Sequence, residues 1–140
     1  MNRISIVAAG LLASVALTVA PADAQTPSTQ DFVNKVAISD MFEVQAAQIA
    51  LAKQADADTK PFAEKMVTDH QKTTSELKAM VDGGKVKAKL PTALDSEHQK
   101  LLDGLKAKKG KDFDQSYDQA QVKGAQRCGR AVRSLCQERG

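Results

Sequence analysis

The chain has 140 residues, a formal net charge of +3 and two cysteines. From Gln25 to Gly124 fifteen Lys balance fifteen Asp plus Glu, so the excess charge belongs to the last sixteen residues. A body of zero net charge carries no electrostatic footprint for nucleic acid, its lack of cysteine excludes a disulfide framework, and its length allows one small domain.

Residues 1–24 read as a secretory signal. Arg3 supplies the positive start, Ile4 to Ala20 is almost wholly apolar, and Ala22-Asp23-Ala24 is an A-x-A cleavage site. The apolar run is slightly short for a membrane span of about 20 residues, and no Cys follows it to carry a lipid. The expectation is export to a bacterial periplasm, with association with the outer membrane left open. The mature domain then occupies 25–124.

Every long segment of that domain predicts helix, with Pro and Gly at the breaks. The first helix starts near Ser28, where Ser28-x-x-Asp31 forms a capping-box-like signal, and runs to about Ala55. Phe32, Val36, Ala47 and Ala50 form its stripe, with Val33, Ala37, Val44 and Leu51 beside it. Asp56 to Asp58 make a turn. A second helix runs from Asp58 to Asp82, tolerates Pro61 in its first turn and stops at Gly83-Gly84. Phe62, Met66, Leu77 and Met80 line its face, flanked by Val67 and Val81. Lys85 to Pro91 is a polar linker. A third helix has Asp95 as N-cap and carries Leu101, Leu102 and Leu105; Gly110 breaks it. A further helix begins at Asp112 with Phe113, Tyr117, Ala120 and Val122 in its pattern. Two long helices joined by a short turn make an antiparallel hairpin, and the rest packs across it as an all-α bundle.

Two inward positions are chemically unusual. Glu43 lies seven after Val36 and seven before Ala50, on the apolar stripe. His70 lies four after Met66 and seven before Leu77, also facing inward. A buried carboxylate is costly unless it is paired or bound to a cation. Glu43 and His70 on adjacent antiparallel helices could therefore approach each other, as a hydrogen-bonded pair or as a metal site for iron, manganese or zinc; the remaining reading is a stripe-edge position that reaches solvent. Asp69 sits about 100° away from His70 and is assigned to the surface. Glu64 and Glu76 read as solvated. His98, in the D-x-x-H spacing after Asp95, reads as a surface residue, and Tyr117 as core. No nucleophile–base motif, phosphate-cradling Gly loop or Cys/His zinc spacing is present, so no catalytic residue is assigned.

The tail differs from the body. Gln25 to Gly124 holds no Arg, whereas Ala125 to Gly140 holds Arg127, Arg130, Arg133 and Arg139 and no Lys, together with Cys128 and Cys136. The apolar pattern ends at Val122. These changes point to a reading-frame change near Gly124; the other reading is a genuine tail, a basic disordered arm. One allowed one-base shift gives His-Asn-Asp-Ala-Val-Ala-Leu-Phe-Glu-Ala-Tyr-Ala-Lys-Asn-Gly, an amphipathic helix with its own stop signal.

Four stretches carry a family resemblance: Asp31-Phe-Val-Asn-Lys-Val-Ala-Ile-Ser-Asp-Met-Phe-Glu43, Lys65-Met-Val-Thr-Asp-His70-Gln-Lys, Leu90-Pro-Thr through Leu94-Asp-Ser-Glu-His98-Gln-Lys-Leu-Leu, and Phe113 to Tyr117 to Val122-Lys. Over roughly Gln30 to Gly124 the chain resembles a bacterial exported domain of unknown function, number 4142, often labelled an outer-membrane protein. The resemblance implies a ferritin-like antiparallel helical bundle. It also implies a His after V-K, an A-V-x-L-F helix and a last helix that this chain lacks. It transfers no di-iron site, because the residue three before His70 is Val67. The expected function is a non-enzymatic envelope protein acting by binding or in stress tolerance. Metal binding through Glu43 and His70, and a di-iron-type redox enzyme, are the alternatives.

Overall fold

The computed structural model describes residues 27–137, with side chains through Arg127. The segment 1–24, expected to be a secretory signal, and the side chains of Cys128 and Cys136 lie outside the described residues. Four helices follow one another: α1 Thr29–Ala52, α2 Thr59–Asp82, α3 Ser96–Ala107 and α4 Gly110–Gln137. The described residues form an all-α bundle.

Local chemistry sets each helix end. The Ser28 hydroxyl accepts from the Asp31 N–H at 3.1 Å, and the Asp31 carboxylate accepts from the Ser28 N–H, which completes a reciprocal capping box. At α2 the capping side chain comes from Asp56, two residues before the N-cap position Asp58. Asp58 makes no side-chain bond, and Asp56 Oδ1 accepts from the Thr59 N–H at 2.7 Å. α2 stops where Gly84 enters the left-handed region at φ 70°, a conformation that glycine adopts without steric cost. Asp95 caps α3 by accepting from the His98 N–H at 2.8 Å. α4 starts two residues earlier than expected, at Gly110, and continues past Val122 to Gln137. The apolar pattern lapses there, but Ala, Gln, Arg and Leu keep intrinsic helix propensity and no proline intervenes.

Pairings fix the directions. Asp40 on α1 meets His70 on α2, and Val33 clusters with Leu77, so these two helices run antiparallel. Phe42 packs on His98, while the Lys53 ammonium donates to the Lys106 and Lys108 carbonyls, so α3 runs beside α1 in the same direction. Lys53 also sits over the Phe113 ring and Glu43 meets Gln121, so α4 returns antiparallel to α1. The segment between α2 and α3 crosses the start of α1, where the Gln30 side chain exchanges two hydrogen bonds with the Lys89 backbone. Val86, Ala88 and Leu90 of that segment cover Val33 and Ala37. No described helix is long and apolar enough to cross a membrane.

The main core joins Phe42, Ala46, Ala47 and Ala50 of α1 to Ala63 of α2, Leu102 and Leu105 of α3, and Phe113 and Tyr117 of α4. α1 contributes small side chains, so its neighbours' large ones reach its backbone. Three expected stripe residues are largely uncovered: Phe32 is 48% exposed, Met80 40% and Phe62 43%, although the Phe62 ring still meets the buried Tyr117 edge-on at 6.3 Å. The inward row of α1 starts at Val33, one residue on from Phe32, which turns the face by about 100°. On α2, Ala63 and Leu77 are the buried apolar residues. Leu101 and Val122 are likewise exposed.

Because Phe113 is buried between α1 and α4 and is also covered by Lys53, Phe113→Ala is expected to cost roughly 3–5 kcal/mol in a urea melt. Val122→Ala, on the exposed side of the same helix, should fall within about 0.5 kcal/mol of the parent.

Candidate functional site

Glu43 and His70 both face the interior, but they do not bond to each other. His70 Nδ1–H donates to Asp40 Oδ1 at 2.7 Å, and Thr74 Oγ1 donates to Asp40 Oδ2 at 3.4 Å. Asp40 is only 3% exposed, so this bond joins α1 to α2 inside the fold. Glu43 is 5% exposed and turns to α4, where Gln121 Nε2 donates to Glu43 Oε2 at 2.6 Å. The expected Glu–His pair is thus replaced by two polar joints, one to each neighbouring helix.

The sequence reading missed Asp40 and Gln121, although both carry a signal. Asp40 lies seven after Val33 and three after Ala37, on the row that is buried. Gln121 lies four after Tyr117 and eight after Phe113, on the inward row of α4. Choosing the Val36 row brought Glu43 to notice and passed over its neighbour.

Other assignments divide. Asp69 is exposed and pairs with Lys65 at 2.7 Å, as expected for a surface residue. Glu76 reaches Lys72 across solvent at 4.0 Å. Tyr117 is fully buried and stacks on Phe113 at 6.0 Å. His98 departs from its surface assignment. Its Nδ1–H donates to Asp95 Oδ1 at 2.7 Å, and its ring meets Phe42 edge-on at 5.5 Å. Asp95 therefore caps α3 and orients an imidazole with one oxygen.

The electrostatics of the joints share a direction. Burial raises the Glu43 carboxyl above its usual 4.5, against the Gln121 hydrogen bond and the nearby His70 and His98, and Asp40 adds like-charge repulsion. The hydrogen bond to Asp40 raises His70 above its usual 6.5. The Tyr117 hydroxyl is pushed up by burial and then by Glu43, and it has no hydrogen-bond partner. No three or more His, Cys, Asp or Glu side chains gather to hold a metal ion among the described residues. Glu43 is closed off on its other side as well. A Cβ at Gly124 would stand 2.9 Å from Glu43 Oε1, so a larger residue there would have to displace the Glu43 carboxylate from its place beside Gln121.

Two expectations follow. A raised His70 contributes stability that is fully present below pH 6.5 and is lost as pH rises through its folded value. A raised Glu43 acts with the same sign, its contribution being complete below pH 4.5. Asp95, held below 3.8 by its bonds to His98, opposes them only as pH falls past that value. The urea midpoint should therefore rise as pH drops from about 8 to 5 and turn over near 4. Glu43→Gln removes the buried charge and should flatten that slope while keeping the helices. A midpoint that instead falls steadily from pH 8 to 5 would contradict this account. Gly124→Ala displaces the Glu43 carboxylate but gains about 1 kcal/mol of helix propensity, so its net cost in a urea melt should stay below about 2 kcal/mol.

No curated protein and no solved structure matches this chain. A family model described as Domain of unknown function (DUF4142) matches residues 14–138, a stretch that includes the whole described bundle and passes Gly124 into the Arg-bearing tail. With nearly all of its length matched, the chain belongs to the DUF4142 family.

Proposed function

We propose that this is an exported, non-enzymatic helical protein of the bacterial envelope that acts by binding, in a ferritin-like bundle. One observation carries the reading. Both buried carboxylates of α1 are engaged by neighbouring helices, Asp40 by His70 and Thr74 and Glu43 by Gln121. Buried ionisable groups are common signs of catalytic sites, but here their partners are the groups that join the helices. The segment 1–24, with Arg3, an apolar run and Ala22-Asp23-Ala24, supports export. The frame change near Gly124 belongs to the same reading and rests on the Lys-to-Arg switch; one base added to or removed from the coding DNA there should restore a helix-encoding frame.

Expression of the full chain in a bacterial host tests the export reading. The expected outcome is a periplasmic protein whose intact mass begins at Gln25. A cytoplasmic protein retaining Met1 and its apolar run would overturn it.

A second reading, divalent-metal binding through Glu43 and His70, has one observation in its favour. Asp40 accepts from His70 Nδ1, the arrangement that orients a ligating imidazole through its other nitrogen. Iron, manganese or zinc retained stoichiometrically by the purified protein, and lost in Glu43→Ala and His70→Ala alike, would establish it. Metal-free protein that takes up none of the three leaves the binding reading alone. The di-iron redox reading has less support, since Val67 stands where a Glu-x-x-His motif needs its carboxylate.

A further inference from the structure

Beyond its first two turns, where Asp31 and Lys35 are exposed, α1 carries its charge on the inside. From Val36 to Ala52 its only charged residues are Asp40 and Glu43, and both are buried. The outward side of that stretch presents Met41, Val44, Gln45, Gln48, Ile49 and Ala52, half-buried or exposed and without a single charge. These positions follow i, i+3, i+4, i+7, i+8 and i+11, one continuous stripe about 16 Å long. Open grooves flank it on both sides. One, of about 420 Å³, lies between α1 and the Gln71, Thr74 and Ser75 side of α2. The other, of about 260 Å³, lies between α1 and Leu102 and Lys106 of α3. Elsewhere the helices carry ordinary mixed charge, including Lys65–Asp69, Lys72–Glu76 and Lys106–Asp103 pairs.

We propose that this stripe is a homodimer interface, in which the α1 helices of two copies cross antiparallel near Gln45. Charge decides for a second copy over a foreign partner. In a two-fold interface each residue near the axis meets its own copy, so any charge there would meet a like charge. A stripe free of both signs suits that symmetry and offers nothing to a charged partner. A glutamine on the axis fits it too, because one amide can both donate to and accept from its symmetry mate. The flanking grooves accept the ridges of the facing helix, as helix pairs pack. Lys106, the one charged residue lining the grooves, lies at the Ala52 end, so antiparallel crossing sets it against the neutral Met41 end of the partner.

Light scattering coupled to size exclusion tests the proposal on the signal-cleaved full chain, from about 1 to 100 µM, with a reductant present to prevent bridging through Cys128 or Cys136. The parent chain should reach the dimer mass within that range. Gln45→Lys sets two ammonium groups against each other and should raise the dimer dissociation constant at least tenfold. Ile49→Lys should do the same. An equal mixture of Gln45→Lys and Gln45→Glu should recover the dimer, which a merely misfolded variant would not do. Thr73→Lys, exposed and about 160° round α2 from Gln71, should leave the mass unchanged. Circular dichroism should give all variants the parent's helicity. A parent that stays monomeric to 100 µM overturns the proposal, including a monomer that captures a different protein through this stripe. A dimer that survives Gln45→Lys and Ile49→Lys, or that is lost in Thr73→Lys, overturns it as well.

Discussion

Two carboxylates buried three residues apart on one helix constrain this bundle more than any apolar contact. Asp40 and Glu43 lie on the inner side of α1, nearly a full turn apart, and neither can lose water without a donor. Each takes that donor from a different neighbour, Asp40 from His70 and Thr74 on α2, Glu43 from Gln121 on α4. Apolar contacts tolerate sliding by a fraction of a turn, whereas these bonds do not. They set the register of α2 and α4 along α1. A slip of one turn would leave a buried carboxylate unpaired, at a cost of several kcal/mol.

Packing supports the same registry through size. Ala46, Ala47 and Ala50 are fully buried on α1, and Ala63 faces them from α2. These small residues let the first two helices approach closely. The volume is then filled from the far side by Leu102, Phe113 and Tyr117. Gly124 repeats the device one layer further on, where the missing Cβ admits the Glu43 carboxylate against α4. Large residues on α3 and α4 set against small ones on α1 make α1 the element that every other helix contacts.

Helix ends and connections were legible in the sequence because they depend on local chemistry. The Ser28–Asp31 box, the Asp95 cap and the Gly83-Gly84 stop involve residues within a few positions of each other. The inner face of α1 was harder to read. Phe32, Val36, Val33 and Ala37 are all apolar, so two adjacent rows compete and periodicity alone cannot rank them. Which row is buried depends on where α2 and the Val86–Leu90 segment lie, a tertiary fact. The site followed the same rule. Glu43 and His70 were visible as polar residues on inward rows, but their partners depended on registry between helices. His98 was read as solvent-facing because the pattern of α3 does not show that Phe42 lies opposite it.

The unusual character of α1 follows from these two burials together. A surface helix ordinarily hides its apolar stripe and shows its charges. α1 departs from this between Val36 and Ala52, burying two carboxyl groups together with its apolar row and showing neutral residues outside. Its amphipathicity is correspondingly weak, so residue-level hydrophobicity does not mark its buried side. The departure has a physical consequence. The buried carboxylates specify how the helices fit within one chain, and they leave the outer surface of the same helix free of charge. Between Val36 and Ala52 the helix spends its charges on internal registry and keeps none outside to repel a second copy of itself; Asp31 and Lys35, its exposed charges, lie in its first two turns.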